Sequence, residues 1–245
     1  MNLMKNQWTA FFPRYMHGVW AIAFVLIGTG SFAQVIQNRP DKAVMESYDF
    51  TGKPFSSSAR NKAEGSPYLN PAWGSGTVYF QNGKKTLPIE VQFDLQKNQL
   101  IFRQDGKVMG FAEPIRAFRI IYVFEDSLRD EYFRNGYPEG NNRSTGYFYQ
   151  VLEDGGKYQF LADRSKQLVD AYTYLGGEKN SYKNLVDFYL FDSSSHSMHR
   201  IRSNKKQPIE ADARLRSRIT DISRDSSLNL KNPEEWRKVV RGLNQ

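Results

Sequence analysis

The chain has 245 residues with 40% hydrophobic and 14% aromatic content, which excludes a disordered polymer and suits one domain with a sizeable core, or a domain plus an appendage. It contains no cysteine, which excludes thiol catalysis, cysteine-based zinc sites and disulfides. The formal charge is +8, yet residues 34–199 hold 20 basic and 20 acidic residues while residues 200–245 hold 12 basic and 6 acidic, and a neutral body argues against nucleic acid as a partner.

The first 33 residues read as a secretion signal. Lys5 and Arg14 form a positive leader without acidic residues, and an apolar run occupies positions 19–27. Ser31 and Ala33 are the small residues a signal peptidase reads, which predicts cleavage between Ala33 and Gln34 and an exported protein, periplasmic or extracellular. The apolar run is about half of the ~20 residues a membrane span requires, so an uncleaved anchor is the lesser alternative. A lipid anchor would need a cysteine where Gln34 stands.

Residues 34–65 form a lead-in without strong periodicity, in which Val44, Tyr48 and Phe50 are candidates to dock as an edge strand or short helix. A β body follows over residues 66–203. Val78 and Phe80 alternate with Thr77 and Tyr79, Asn82-Gly83 marks a tight turn, and Leu87, Ile89, Val91 and Phe93 alternate with Pro88, Glu90, Gln92 and Asp94. The chain turns at 96–98, returns over 100–103, and turns at Asp105-Gly106 into 107–112. Residues 116–124 are β-branched and aromatic, as a long strand requires. Residues 125–144 are polar and turn-rich and read as an exposed loop with at most a helical turn. Strands resume at 146–152, 157–162, 168–174, 185–191 and 196–201. The fold class is therefore mainly β, an antiparallel meander of nine or ten strands in a sandwich or open barrel.

The period changes over residues 204–245. Ala211, Leu215, Ile219 and Ile222 lie on one helical face, with Arg214, Arg216 and Arg218 between them as candidate contacts for an envelope protein or an anionic surface. Asn232 caps a second helix, with Pro233 at its first position and Trp236, Val239, Val240 and Leu243 as its apolar face. Both helices need a surface to cover, which predicts that they pack on the sheet. Gly146-Tyr147-Phe148-Tyr149 carries aromatics on both strand faces and offers that surface, or else a ligand cavity.

Gly65-Ser66-Pro67-Tyr68-Leu69, the hairpin at Asp105-Gly106-Lys107, the closing helices ending near Leu243-Asn244 and a leader ending Ser-Phe-Ala-Gln together resemble uncharacterised secreted β-rich proteins of Bacteroidota. That resemblance implies an exported or envelope protein, and it brings no activity and no catalytic residues.

No motif with a chemical mechanism stands out. His196 and His199, three apart in a strand, point to opposite faces and do not share a metal ion. Gly74-Ser75-Gly76 lacks the spacing of a nucleophile elbow, and Ser193 to Ser195 suit a hairpin loop. Glu125, Asp126, Asp130 and Glu131 cluster in sequence, and a glycosidase pair would require them to face one another. No cofactor or metal is expected. The expected function is an exported non-catalytic β-protein that binds or scaffolds in the envelope. The alternatives are a carrier or sensor of an apolar ligand held between sheet and helices, and a hydrolase with dispersed residues.

Overall fold

The computed structural model describes residues 52–54, 63–172, 178–202 and 208–245. The predicted leader, its Ala33–Gln34 cleavage site, and Val44, Tyr48 and Phe50 of the lead-in lie outside the described residues.

Among the described residues, eleven strands form one antiparallel, unclosed sheet. They are β1 (Gly52–Pro54), β2 (Gly74–Phe80), β3 (Ile89–Asp94), β4 (Gln99–Gln104), β5 (Lys107–Phe111), β6 (Ile115–Phe124), β7 (Ser127–Arg134), β8 (Tyr149–Asp154), β9 (Tyr158–Tyr172), β10 (Glu178–Asp192) and β11 (Ser197–Ile201). Two helices follow, α1 (Ala213–Asp225) and α2 (Pro233–Leu243). The spatial order is β1-β5-β4-β3-β2-β6-β7-β8-β9-β10-β11.

One connection dictates the curvature. β5 and β6 stand four places apart in the sheet, which in a flat sheet is roughly 19 Å. The chain between Phe111 and Ile115 spans at most about 14 Å. The sheet must therefore curl, and its inner face closes on itself through Phe111, whose ring lies 4.6 Å from Phe102 and 6.0 Å from Phe80. The interior is aromatic: Phe93, Phe118 and Phe133 have centroids about 5 Å apart, and Phe148 joins them at 5.2 Å from Phe118.

The other half of the sheet is covered from outside. α2 lies on β8 and β9, and α1 packs on α2. Trp236, Val239, Val240 and Leu243 are buried against Tyr158, Phe160 and Leu190, with Leu215, Ile219 and Ile209 completing the layer. Asn232 caps α2 by accepting from Glu235 N, as the sequence predicts, and Asp212 caps α1 by accepting from Leu215 N. Asn244 pins the end of α2 to the sheet, its side chain accepting from Tyr158 N and donating to Tyr158 O. The helices thus dock on Phe160 and Leu190, not on the predicted surface at Tyr147 to Tyr149. Phe148 belongs to the curled interior, and Tyr147 and Tyr149 belong to a third cluster on the opposite face.

The polar stretch after β6 also differs from expectation. Residues 127–134 pair with β6 along their whole length. Their alternation is hidden because Ser127 to Asp130 are exposed on both faces, and burial starts at Glu131 and is complete at Phe133. Glu125 and Asp126 form the turn with left-handed backbone although neither is glycine. Only the following residues, 135–148, are irregular, and these are anchored by the buried Tyr137 and Tyr147. β9 and β10 are single strands of 15 residues paired throughout the described register, where the sequence suggests shorter pieces.

Candidate binding cleft

Residues 63–71 form a strap that joins distant parts of the curled sheet. At one end Glu64 N donates to Asn180 O and Tyr182 N to Glu64 O, fixing the strap to β10. At the other end Leu69 N donates to Phe93 O and Leu95 N to Pro67 O, fixing it to the end of β3. Gly65, at φ +86°, makes the bend between these attachments. Lys166 of β9 holds the middle, its Nζ donating to Ser66 O at 2.8 Å and to Tyr68 O at 2.6 Å.

Beneath the strap is a cleft of about 460 Å³. Leu69 and Pro71 of the strap and Tyr122 and Phe124 of β6 supply its apolar walls, and Arg164, Lys166 and Asn184 of the β9–β10 arm supply its polar side. Leu69 and Tyr122 are each 6% exposed, whereas Phe124 stands at the rim, 41% exposed.

Arg164 directs Nη1 at both carboxylate oxygens of Glu131, 3.0 Å each, and lies 3.4 Å from Gln150 Oε1. Burial, and then the Glu131 carboxylate, push the Tyr122 phenol up to about 12, so it stays protonated. Burial, and then the neighbouring Arg164 cation, hold Lys166 below the ordinary lysine value, with Asp94 opposing. Two of the three Lys166 N–H donors are committed to the strap. The Arg164 guanidinium and the Glu131 carboxylate also hydrogen-bond the Tyr122 phenol.

A second cleft, about 480 Å³, opens where β7 and β8 part. These strands share two register positions, Phe133↔Gln150 and Arg134↔Tyr149. The gap beyond is lined by Tyr79, Tyr132, Leu152, the Arg119–Asp130 pair and Arg237 of α2. Arg237 Nε is buried without a hydrogen bond and lies 3.6 Å from Glu234 Oε1.

On the face opposite the helices, residues 135–148 are tied down by a polar-aromatic network. Asp163, 5% exposed, accepts from Arg143 Nε at 2.9 Å and from Tyr147 OH at 2.6 Å. Gln159 Oε1 accepts from Arg134 and from Tyr137 OH. Burial raises the Tyr137, Tyr147 and Tyr149 phenols, with the Asp163 carboxylate adding to the effect at Tyr147 and Tyr149. These groups satisfy one another and fix a loop.

The arginines singled out from sequence do not form one surface. Arg214 and Arg218 are four apart on α1, and Arg216 lies roughly opposite them around the helix axis. All three are exposed, and Arg218 donates from Nη2 to Leu243 O at the end of α2. His196 occupies the β10–β11 turn against Phe191, and His199 hydrogen-bonds Ser197 Oγ and Glu210 O. No group of His, Asp and Glu among the described residues is arranged to hold a metal ion. The acidic residues at 125–131 are also separated: Glu125 and Asp126 make a turn, Asp130 pairs with Arg119, and Glu131 pairs with Arg164. Gly76 is a packing position, since a Cβ there would meet Val91 Cγ2 at 2.2 Å.

Arg164, Lys166 and Tyr122 escape attention in the sequence. The one signal for Arg164 and Lys166 is the run Asp163-Arg164-Ser165-Lys166, three charges in the middle of a strand, while Tyr122 is one aromatic among many in the strand read at 116–124. Comparison with family profiles, with curated proteins and with solved structures finds no match.

Proposed function

We propose that this is an exported, non-catalytic β-protein of the cell envelope whose work is binding, with the cleft under the strap as its binding site. One observation carries the reading: aromatic and aliphatic walls converge with two cations, Arg164 and Lys166, and Lys166 keeps a third N–H donor. Such a mixture of apolar surface and a few placed polar groups is the common composition of small-molecule sites. The cations are pre-positioned, Arg164 by Glu131 and Lys166 by two strap carbonyls, which lowers the ordering cost of binding.

The leader read at residues 1–33 supports export, and no described helix is long and apolar enough to cross a membrane. The basic residues at 200–245 support a contact with an anionic surface or acidic partner, for which Arg214 and Arg216 are exposed. Trp236, Val239, Val240 and Leu243 fill the layer between helices and sheet, which favours the strap cleft over that layer as the place for a ligand.

Native mass spectrometry on protein purified from its own host's envelope fraction tests this function. The expected species is residues 34–245 with a reproducible small adduct. An adduct-free mass in every preparation overturns the ligand-binding role, and a mass for all 245 residues overturns processing at Ala33–Gln34.

A further inference from the structure

We propose that the cleft under the strap takes a small amphipath carrying one carboxylate, held between Arg164 and Lys166 with its apolar body on Leu69, Tyr122 and Phe124. This inference rests on the binding role proposed above and names its ligand class.

The sign of the ligand's charge follows from the groups facing the cleft. Arg164 and Lys166 bring two positive charges, and Glu131 brings one negative charge already engaged by Arg164. Asp94, the other nearby carboxylate, acts on Lys166 but does not line the cleft, its Oδ1 accepting from the Gln96 and Lys97 N–H groups. The groups left to meet a ligand are the third Lys166 N–H and the Arg164 guanidinium, which lines the cleft while sharing its charge with Glu131 and the Tyr122 phenol. A carboxylate has the two oxygens needed to take both, and its charge offsets the mutual repulsion of the two cations. A cationic ligand would add to that repulsion. A neutral one would leave charged donors desolvated.

The ligand's apolar part follows from the opposite wall. Tyr122 keeps its proton and presents a ring, Leu69 is nearly buried, and Phe124 is a large apolar side chain held at the rim. A ring left 41% exposed beside a cleft gains burial when a hydrocarbon chain covers it. The volume of about 460 Å³ lies at the lower end of the range for small-molecule sites.

Isothermal titration of octanoate and of octan-1-ol into the protein purified from its host's envelope fraction separates charge from chain. The expected result is octanoate binding at least tenfold tighter than octan-1-ol. Lys166→Met brings the two ligands to similar affinity. Asn184→Asp, at an exposed position on the cleft wall, weakens octanoate about tenfold and leaves octan-1-ol unchanged. Phe124→Ala weakens both. Equal affinity for the two ligands, unmoved by Lys166→Met and Asn184→Asp, overturns the carboxylate assignment while leaving the binding role intact. Binding of neither ligand, or binding indifferent to Phe124→Ala, overturns the cleft as the site for this ligand class. A reproducible adduct in the native mass spectrum would then show that the wider binding role survives.

Discussion

The two halves of the sheet bury their apolar faces in different ways. From β2 to β6 the sheet is its own cover: a three-residue link between β5 and β6 curls it until Phe80, Phe93, Phe102, Phe111 and Phe118 share one interior. From β8 to β11 it stays more open and borrows cover, α2 and α1 on one face and residues 135–148 on the other. Curling makes every strand depend on its neighbours. A borrowed cover can be detached while the strands beneath remain paired. The strap and its cleft lie where the β9–β10 arm reaches back toward the end of β3.

The largest expected effect breaks the curled half. Phe118 is fully buried among Phe93, Phe133 and Phe148, so Phe118→Ala should cost about 3–5 kcal/mol and lower the urea midpoint of the whole unit. Trp236→Ala removes a side chain of similar size, yet the loss should be confined to the helices. Far-UV circular dichroism would show lost helix, with amide exchange in β2–β6 still protected. Simultaneous exchange of both regions would show that the halves are one cooperative unit.

Alkaline pH sharpens the contrast from the other side. Tyr122 and Tyr149 ionise at about 12 in the folded chain and near 10 when unfolded. Folding therefore favours the protonated phenols. Their contribution is complete below about pH 10 and is lost as pH rises toward 12, on the order of 2–3 kcal/mol for each. The urea midpoint should fall over that window. Tyr149→Phe should flatten the fall, and an unchanged slope would refute the assignment.

Asp163→Asn tests the loop cover. It weakens the bonds from Arg143 and Tyr147 and should cost about 1–3 kcal/mol, with faster proteolysis within residues 135–148 and little change in helix content. Asn244→Ala is a milder change. It removes the two bonds to Tyr158 and should cost about 1 kcal/mol, seen as earlier exchange at the end of α2. The smallest effect belongs to the Arg241–Glu153 pair, whose arginine is exposed, and Arg241→Ala should move the urea midpoint little.

Much of the architecture could be read from the chain. Val91 and Phe93 alternate with polar neighbours, Asp105-Gly106 supplies a left-handed turn, and Asn232-Pro233 opens a helix whose four apolar residues are all buried. Each of these signals is local: a period, a dihedral preference, a cap. β7 left no such trace, because its pairing comes from β6 and half its length is exposed on both faces. The candidate site was less legible still. Ser66, Tyr122, Arg164 and Lys166 come from three separated segments, and nothing in their spacing announces that they meet.

The sequence by itself determined the class of this protein: a cysteine-free antiparallel body and two C-terminal helices, since these follow from composition and short-range periodicity. The tertiary structure alone decided the curl, the face on which the helices dock, and the convergence of two cations on an aromatic wall. Those features depend on which strands become neighbours, and a short link such as residues 112–114 constrains that choice only once the strand order is known.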